Sequence, residues 1–238
     1  MLRSPFSLFG PFSDRLSVVL WTKADGRSHD VVGTLGVSEE AHAEQVHGAK
    51  TLVIRDAMQY APGADGLVTD RIGLALSVRF ADCQSFIAYA PSKHVIGVLH
   101  AGWRGLALHR SEATGAGLIA GAIPEFFAAL KREWNIDPKN TWVAAGPSLC
   151  QKCAGFSDPE HELPSIPSRF IDGKQVDLRG AAEAQLFTLG LPRNHFERSL
   201  DCTCCVPQTY WTYRGGDREA VKGGERNLLA CVLKPVLR

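Results

Sequence analysis

Residues 95–99 (Val-Ile-Gly-Val-Leu) form an apolar run that stops at His100-Ala101-Gly102-Trp103-Arg104-Gly105. A short apolar run ending in this way reads as a buried strand. A strand fixes the position of whatever follows it, and the two glycines let backbone or a ligand come close. An imidazole, an indole and a guanidinium therefore leave one fixed point within five residues. Other apolar or β-branched runs, at 16–21, 31–37, 51–55, 74–78, 85–89, 142–145, 210–213 and 228–233, read as further strands. Between them, 39–45 reads as a short polar helix and 178–189 as an amphipathic one. Residues 104–134 read as helical, with Pro124 as a break or a new start. The mixture predicts an α/β or α+β fold with a mixed, partly antiparallel sheet, and the pattern does not choose between the two.

Two further spots stand at the ends of strand-like segments, Gln45-Val46-His47-Gly48 and Ala81-Asp82-Cys83. His47, Cys83 and His100 together offer two nitrogens and one sulfur, a set that suits zinc first and copper second. Three protein ligands leave one coordination position open, as in catalytic rather than structural zinc, where bound water ionises near pH 7. Taken singly, a Cys or His of this kind is more often a packed core residue. Their separations, 36 and 17 positions, match no short metal-finger spacing, so arithmetic alone leaves both readings open.

At 238 residues the chain is long enough for one large domain, spanning 1–238, with a full core. Lys plus Arg total 26 against 25 for Asp plus Glu, which gives no electrostatic reason to expect nucleic acid or an acidic membrane as partner. The apolar runs fall short of the roughly 20 residues that cross a bilayer. The cysteine count, seven, is odd and no secretory signal opens the chain, so reduced thiols and the cytoplasm are expected. Residues 157–168 hold three prolines and read as an exposed loop.

The ordered set Gln45-Val46-His47-Gly48, Ala64-Asp65-Gly66-Leu67-Val68-Thr69, Ala81-Asp82-Cys83, His100-Ala101-Gly102-Trp103-Arg104-Gly105 and Gly146-Pro147 resembles the YfiH, or laccase-domain, family. Asp201-Cys202-Thr203 and Tyr210-Trp211-Thr212-Tyr213-Arg214 continue the same order, so the likeness runs from about residue 45 to the end. It implies a YfiH-type layered α/β fold related to cysteine hydrolases of the cytotoxic-necrotising-factor kind. It also implies metal ligation by His47, Cys83 and His100. The implied activity is that of a purine nucleoside enzyme, phosphorolysing adenosine, inosine and methylthioadenosine and deaminating adenosine, with phosphate as co-substrate. Members are also described as polyphenol oxidases or laccases. Multicopper oxidases resemble one another in His-x-His pairs, however, and this chain has eight His and no such pair.

On that footing, deamination would direct activated water at C6 of the purine, with Asp82 as proton shuttle or as a residue orienting its neighbour. Arg104 is the choice for holding phosphate, because guanidinium matches phosphate oxygens in a planar fork. Trp103 suits stacking on the base, although a strand-end aromatic is often core. Arg214 and Arg226 match arginines of the family's C-terminal motif. The chain departs from the family where Gln84-Ser85-Phe86 replaces Leu-Pro-Val after the ligand cysteine, and in its compressed residues 14–44. These departures bear on substrate choice.

Two alternatives remain. Cys83 as nucleophile with His100 as base would make a metal-free hydrolase, able to edit peptidoglycan precursors as some members are described to do. A catalytically degenerate binding module on the same fold is the other. His42-Ala43-Glu44 with Cys150 and Cys153 imitates the nucleobase deaminase signature. The spacing from Pro147 and the distance between the halves are wrong for it, and a solvated helix face accounts for His42. Cys150-x-x-Cys153 and Cys202-x-x-Cys205 have the grammar of a structural zinc site, but their separation requires folding to unite them, and ordinary thiols are the default expectation.

Overall fold

A computed structural model of the chain describes residues 1–26, 29–56, 60–106, 109–110, 118–119 and 121–235. Its main strands are β1 (Leu16–Trp21), β2 (Glu39–Ala43), β3 (Thr51–Val53), β4 (Gly66–Thr69), β5 (Leu74–Phe80), β6 (Gln84–Ala90), β7 (Val95–Ala101), β8 (Trp142–Ala145), β9 (Phe196–Arg198) and β10 (Asn227–Leu233). The helices that matter are α1 (Val31–Leu35), α2 (Trp103–Leu106), α3 (Ala122–Trp134) and α4 (Leu178–Thr188). One sheet has the order β1-β10-β5-β2, with the two-residue segments Leu2–Arg3 and Tyr60–Ala61 at its edges. The other runs β9-β8-β6-β7-β4-β3. Both are mixed: β2 lies parallel to β5 and β3 parallel to β4, while β6 and β7 form an antiparallel pair.

The two sheets stack face to face. In β10, Leu229, Cys231 and Leu233 point into the space between them and meet Ile87, Ile96 and Val98 of the second sheet. The alternate residues Leu228, Ala230 and Val232 point outward and pack on Val31 and Leu35 of α1. The far side of the second sheet is covered by α3 and α4, where Phe126, Phe127, Leu130 and Leu186 close over Val68, Phe86 and Leu99. The result is four layers, helix–sheet–sheet–helix. Central strands buried on both faces read as unbroken apolar runs, which is why β1, β5, β6, β7 and β10 were legible. Each fully buried aliphatic or phenyl side chain in these layers adds about 1.5–3 kcal/mol.

Several expectations are corrected. The β-branched stretch at 31–37 is helical over Val31–Leu35, because Asp30 accepts a hydrogen bond from the Gly33 amide (2.8 Å) and Gly36, at φ 68°, ends the turn. Within the polar stretch at 39–45, Glu39–Ala43 is strand β2, not a helix: Ala41 and Ala43 are buried while Glu40 and His42 are less so, a period of two. His42 therefore sits on a strand, edge-on to Tyr60. Residues 210–213 form no strand. They make a turn in which the Trp211 amide and carbonyl are both bonded by the Asn227 side chain. Residues 157–168 are no simple exposed loop: Asp158 caps a short helix, and Leu163 and Ile166 are buried in a satellite core with Phe156 and Val176. The expected helix over 104–134 is split into α2, two short strands (His109–Arg110 and Leu118–Ile119) and α3, with Pro124 in the first turn of α3. Residues 107–108, 111–117 and 120 of that stretch lie outside the described residues.

Candidate metal centre and cavity

Two of the three expected ligands stand where the chain crosses from one sheet to the other. His47 lies between β2 of the first sheet and β3 of the second, and Cys83 lies between β5 and β6 in the same sense. His100 is near the end of β7, directly across from Ser85 of β6. Because β2 pairs with β5, and β6 with β7, the three side chains meet at one end of the sandwich. His47 Nε2 is 3.8 Å from Cys83 Sγ, the two imidazoles are perpendicular with centroids 4.8 Å apart, and all three ligand atoms lie within 4.8 Å of one another. Gln45, His47 and Asp82 hold positive φ angles of 66°, 62° and 82°. Non-glycine residues rarely take this conformation, and such residues gather at functional sites. Gly102 belongs to the geometry too: a Cβ there would lie 2.5 Å from His47 Cδ2.

Asp65 organises the centre. Completely buried, it accepts hydrogen bonds at Oδ1 from the His47 amide (3.0 Å) and at Oδ2 from the Gly48 amide (2.7 Å), and its Oδ1 lies 2.8 Å from His100 Nδ1. A carboxylate behind Nδ1 fixes the imidazole orientation and leaves Nε2 to face Cys83, the usual support of a metal-ligating histidine. Burial alone would raise the Cys83 thiol, but contacts with His100 and His47 outweigh it and bring it down to about 6. Burial alone would lower His100, yet Asp65 and Cys83 raise it to about 9. Two imidazoles and an easily ionised thiol, held together by a buried carboxylate, fit a single borderline-soft divalent ion.

Asp82 is 8% exposed and fully engaged. Its Oδ1 accepts from the hydroxyls of Thr203 (2.7 Å) and Thr212 (2.6 Å), and its Oδ2 from the Arg214 amide (2.7 Å). The side chain thus ties the Cys83 crossover to the 203–214 loop. A cavity of about 590 Å³ opens over the centre. Tyr60, Phe80, Trp103, Phe156 and Tyr213 give it aromatic walls, and Arg79, Arg214, Arg226 and Lys222 give it positive charge. Trp103 meets Phe156 edge-on at 5.7 Å, and the Arg214 guanidinium lies 5.8 Å from the Phe156 ring. Arg104 is exposed, lies over the Trp103 ring at 4.4 Å, and is not among the residues that line the cavity.

Of the residues singled out from sequence, His47, Cys83, His100, Asp82, Trp103, Arg214 and Arg226 meet at this cavity and Arg104 does not. Sequence reasoning missed the role of Asp65, although the Ala64-Asp65-Gly66 element was in view; an acidic residue at the head of an apolar strand was the available signal. Phe156 and Arg79 were missed because nothing in their local pattern marks them. A second cluster also forms elsewhere: the Sγ atoms of Cys150, Cys153, Cys202 and Cys205 lie within 4.8 Å of one another.

The chain is similar to the purine nucleoside phosphorylase YlmD of Geobacillus stearothermophilus, with 32% identity over 194 residues, 72% of this chain and 65% of that protein. It is also similar to adenosine deaminase RL5 from an unknown prokaryotic organism, with 30% identity over 162 residues, 64% of this chain and 57% of the other. The chain thus spans somewhat less than two thirds of the length of these relatives. The crystal structure of YlmD from G. stearothermophilus superposes with a TM-score of 0.75 over 94% of both chains at 24% identity. The Bacillus licheniformis protein YfiH gives 0.70 over 86% of this chain and 78% of that one at 23% identity. These likenesses establish the mixed α/β fold. A family model described as multi-copper polyphenol oxidoreductase laccase matches residues 25–230, and the chain belongs to that family.

Proposed function

We propose that this chain is a purine nucleoside enzyme that phosphorolyses adenosine, inosine or methylthioadenosine and deaminates adenosine in the cytoplasm, using one zinc ion (or copper) held by His47, Cys83 and His100. The observation that carries the proposal is the convergence of these three donors at the floor of a nucleoside-sized cavity with aromatic walls and four cationic side chains. A bound Zn²⁺ would supply Lewis acidity and one open coordination position. The remaining tasks fall to the chain. Asp65 keeps Nε2 of His100 directed at the centre. Trp103 and Phe156 offer faces and edges for a purine. Arg214, with Arg79, Arg226 and Lys222, supplies the positive field that a phosphate dianion needs. Because both oxygens of Asp82 are taken by Thr203, Thr212 and the Arg214 amide, we assign it to positioning Cys83 and Arg214 rather than to shuttling protons.

A second reading is favoured by one observation, the Cys83 thiol held near 6 beside His100 with Asp65 behind it. That is the order of a cysteine hydrolase triad, and kinship with cytotoxic-necrotising-factor-like hydrolases would belong to this reading. His47 separates the two, since a triad gives it no task. Purified protein is assayed with inosine and phosphate, and with adenosine alone, before and after chelation. Release of free base and of ammonia that disappears on chelation and in His47→Ala supports the metal reading. Activity that survives both contradicts it.

A further inference from the structure

We propose that Cys150, Cys153, Cys202 and Cys205 bind a second, structural zinc ion as a tetrathiolate site. The four thiols are free of disulfides and come from two Cys-x-x-Cys pairs 52 positions apart, counted from Cys150 to Cys202. Folding brings them together: Cys150 Sγ and Cys153 Sγ lie 3.9 and 3.6 Å from Cys205 Sγ. A tetrahedral ion with zinc–sulfur bonds of about 2.3 Å requires sulfurs about 3.8 Å apart. The observed separations straddle that value and are far too long for disulfide bonds, which need about 2.05 Å. Sulfurs this close fit one ion rather than an iron–sulfur cluster, whose cysteine ligands stand farther apart around several metals.

The surrounding backbone is shaped for thiolates. The Cys150 amide donates to Cys202 Sγ at 3.2 Å. Within each pair the fourth residue's amide bonds back to the first residue's carbonyl, at 3.0 Å in one and 3.1 Å in the other. Such turns place two sulfurs on the same side of the chain. The two turns are joined directly, by the Ser148–Cys202 bridge and by the Thr203 amide donating to the Ser148 carbonyl (3.2 Å). Arg179 binds the carbonyls of Ser148, Leu200 and Asp201 beneath them. Without a cation, four converging thiols have little to hold them in contact. Binding would exchange thiol protons for the ion.

The position explains what such a staple does. From one turn, the Leu149 amide donates to the Asp82 carbonyl (3.1 Å). From the other, the Thr203 hydroxyl donates to the Asp82 carboxylate (2.7 Å). Two of the hydrogen bonds that hold the residue beside Cys83 are thus anchored at the four-cysteine cluster. This zinc would hold one wall of the cavity in place and take no part in chemistry, having no vacant position.

Zinc per chain, measured on protein purified without added metal, tests the proposal independently of the first centre when the His47→Ala/Cys83→Ser double variant is used. That variant is expected to keep one equivalent of zinc. Exchange of this zinc for cobalt(II) should give the intense thiolate-to-cobalt absorption of a tetrahedral four-sulfur site. Cys150→Ser and Cys205→Ser in the otherwise native chain should each lose one equivalent relative to the native protein. If those variants do not fold, the double variant still decides. Native protein unfolded in chelator without reductant is expected to alkylate at all seven cysteines. A double variant free of zinc, one carrying iron instead, or a deficit of alkylated cysteines that marks disulfides would each overturn the proposal.

Discussion

The two clusters of sulfur and nitrogen donors are built for opposite ends. His47, Cys83 and His100 offer three donors at the floor of a cavity, backed by a buried carboxylate and set on strained backbone. The four cysteines offer four converging sulfurs on two neighbouring turns, and none of them lines the cavity. An open set leaves room for a ligand to react, whereas a closed set holds loops together. The difference also appears in how each is supported. The first centre depends on where two crossovers and a strand end meet across two sheets, and the second on hydrogen bonds between two neighbouring turns. Asp82 is the point of contact between them, since it precedes one ligand and is held from the other cluster's turns.

The comparison breaks most sharply under substitution of the first centre. Cys83→Ser and His100→Ala should each reduce nucleoside phosphorolysis to the uncatalysed background in a free-base release assay, because each removes a donor that lines the cavity. At the second cluster stability should suffer first and activity second. Zinc present at about 1,000-fold over its dissociation constant stabilises the folded state by about 4 kcal/mol. Loss of it in Cys205→Ser should lower Tm by roughly 8–16 °C for a chain of this size, read by calorimetry, with activity falling only as far as the cavity wall loosens.

How much of this was legible in the sequence depends on the range of the signal. The five doubly buried strands and the three converging donors were readable because apolar runs and unusual residues at their ends are local features. The α1 and β2 assignments were exchanged because β-branched residues at 31–37 and charges at 39–45 outweighed the Asp30 cap, the Gly36 stop and the alanine alternation. Arg104 was favoured for its place four positions after His100, but in the first turn of α2 it is exposed, stands over the Trp103 ring and lies outside the cavity lining. The four-cysteine cluster was visible only as spelling, because bringing its halves together is a property of the tertiary fold.

Smaller effects sharpen the first centre. Asp65→Asn keeps the shape but removes the charge behind His100, and should cost about 10–100-fold in metal affinity or kcat/KM, followed by competition with a chromogenic chelator. Trp103→Ala should raise KM for the nucleoside by roughly fivefold, the loss of about 1 kcal/mol of aromatic contact. Arg104→Ala, at a residue outside the cavity lining, should stay within roughly twofold in the same steady-state assay. A larger loss at Arg104 than at Trp103 would return phosphate binding to Arg104.

The most direct measurement is an anomalous difference map at the zinc edge, from crystals of protein purified without added metal. The account predicts two peaks, one bounded by the ligand atoms of His47, Cys83 and His100 and one enclosed by the four cysteine sulfurs. A map with no peak among His47, Cys83 and His100, in protein that turns over nucleosides, would contradict it.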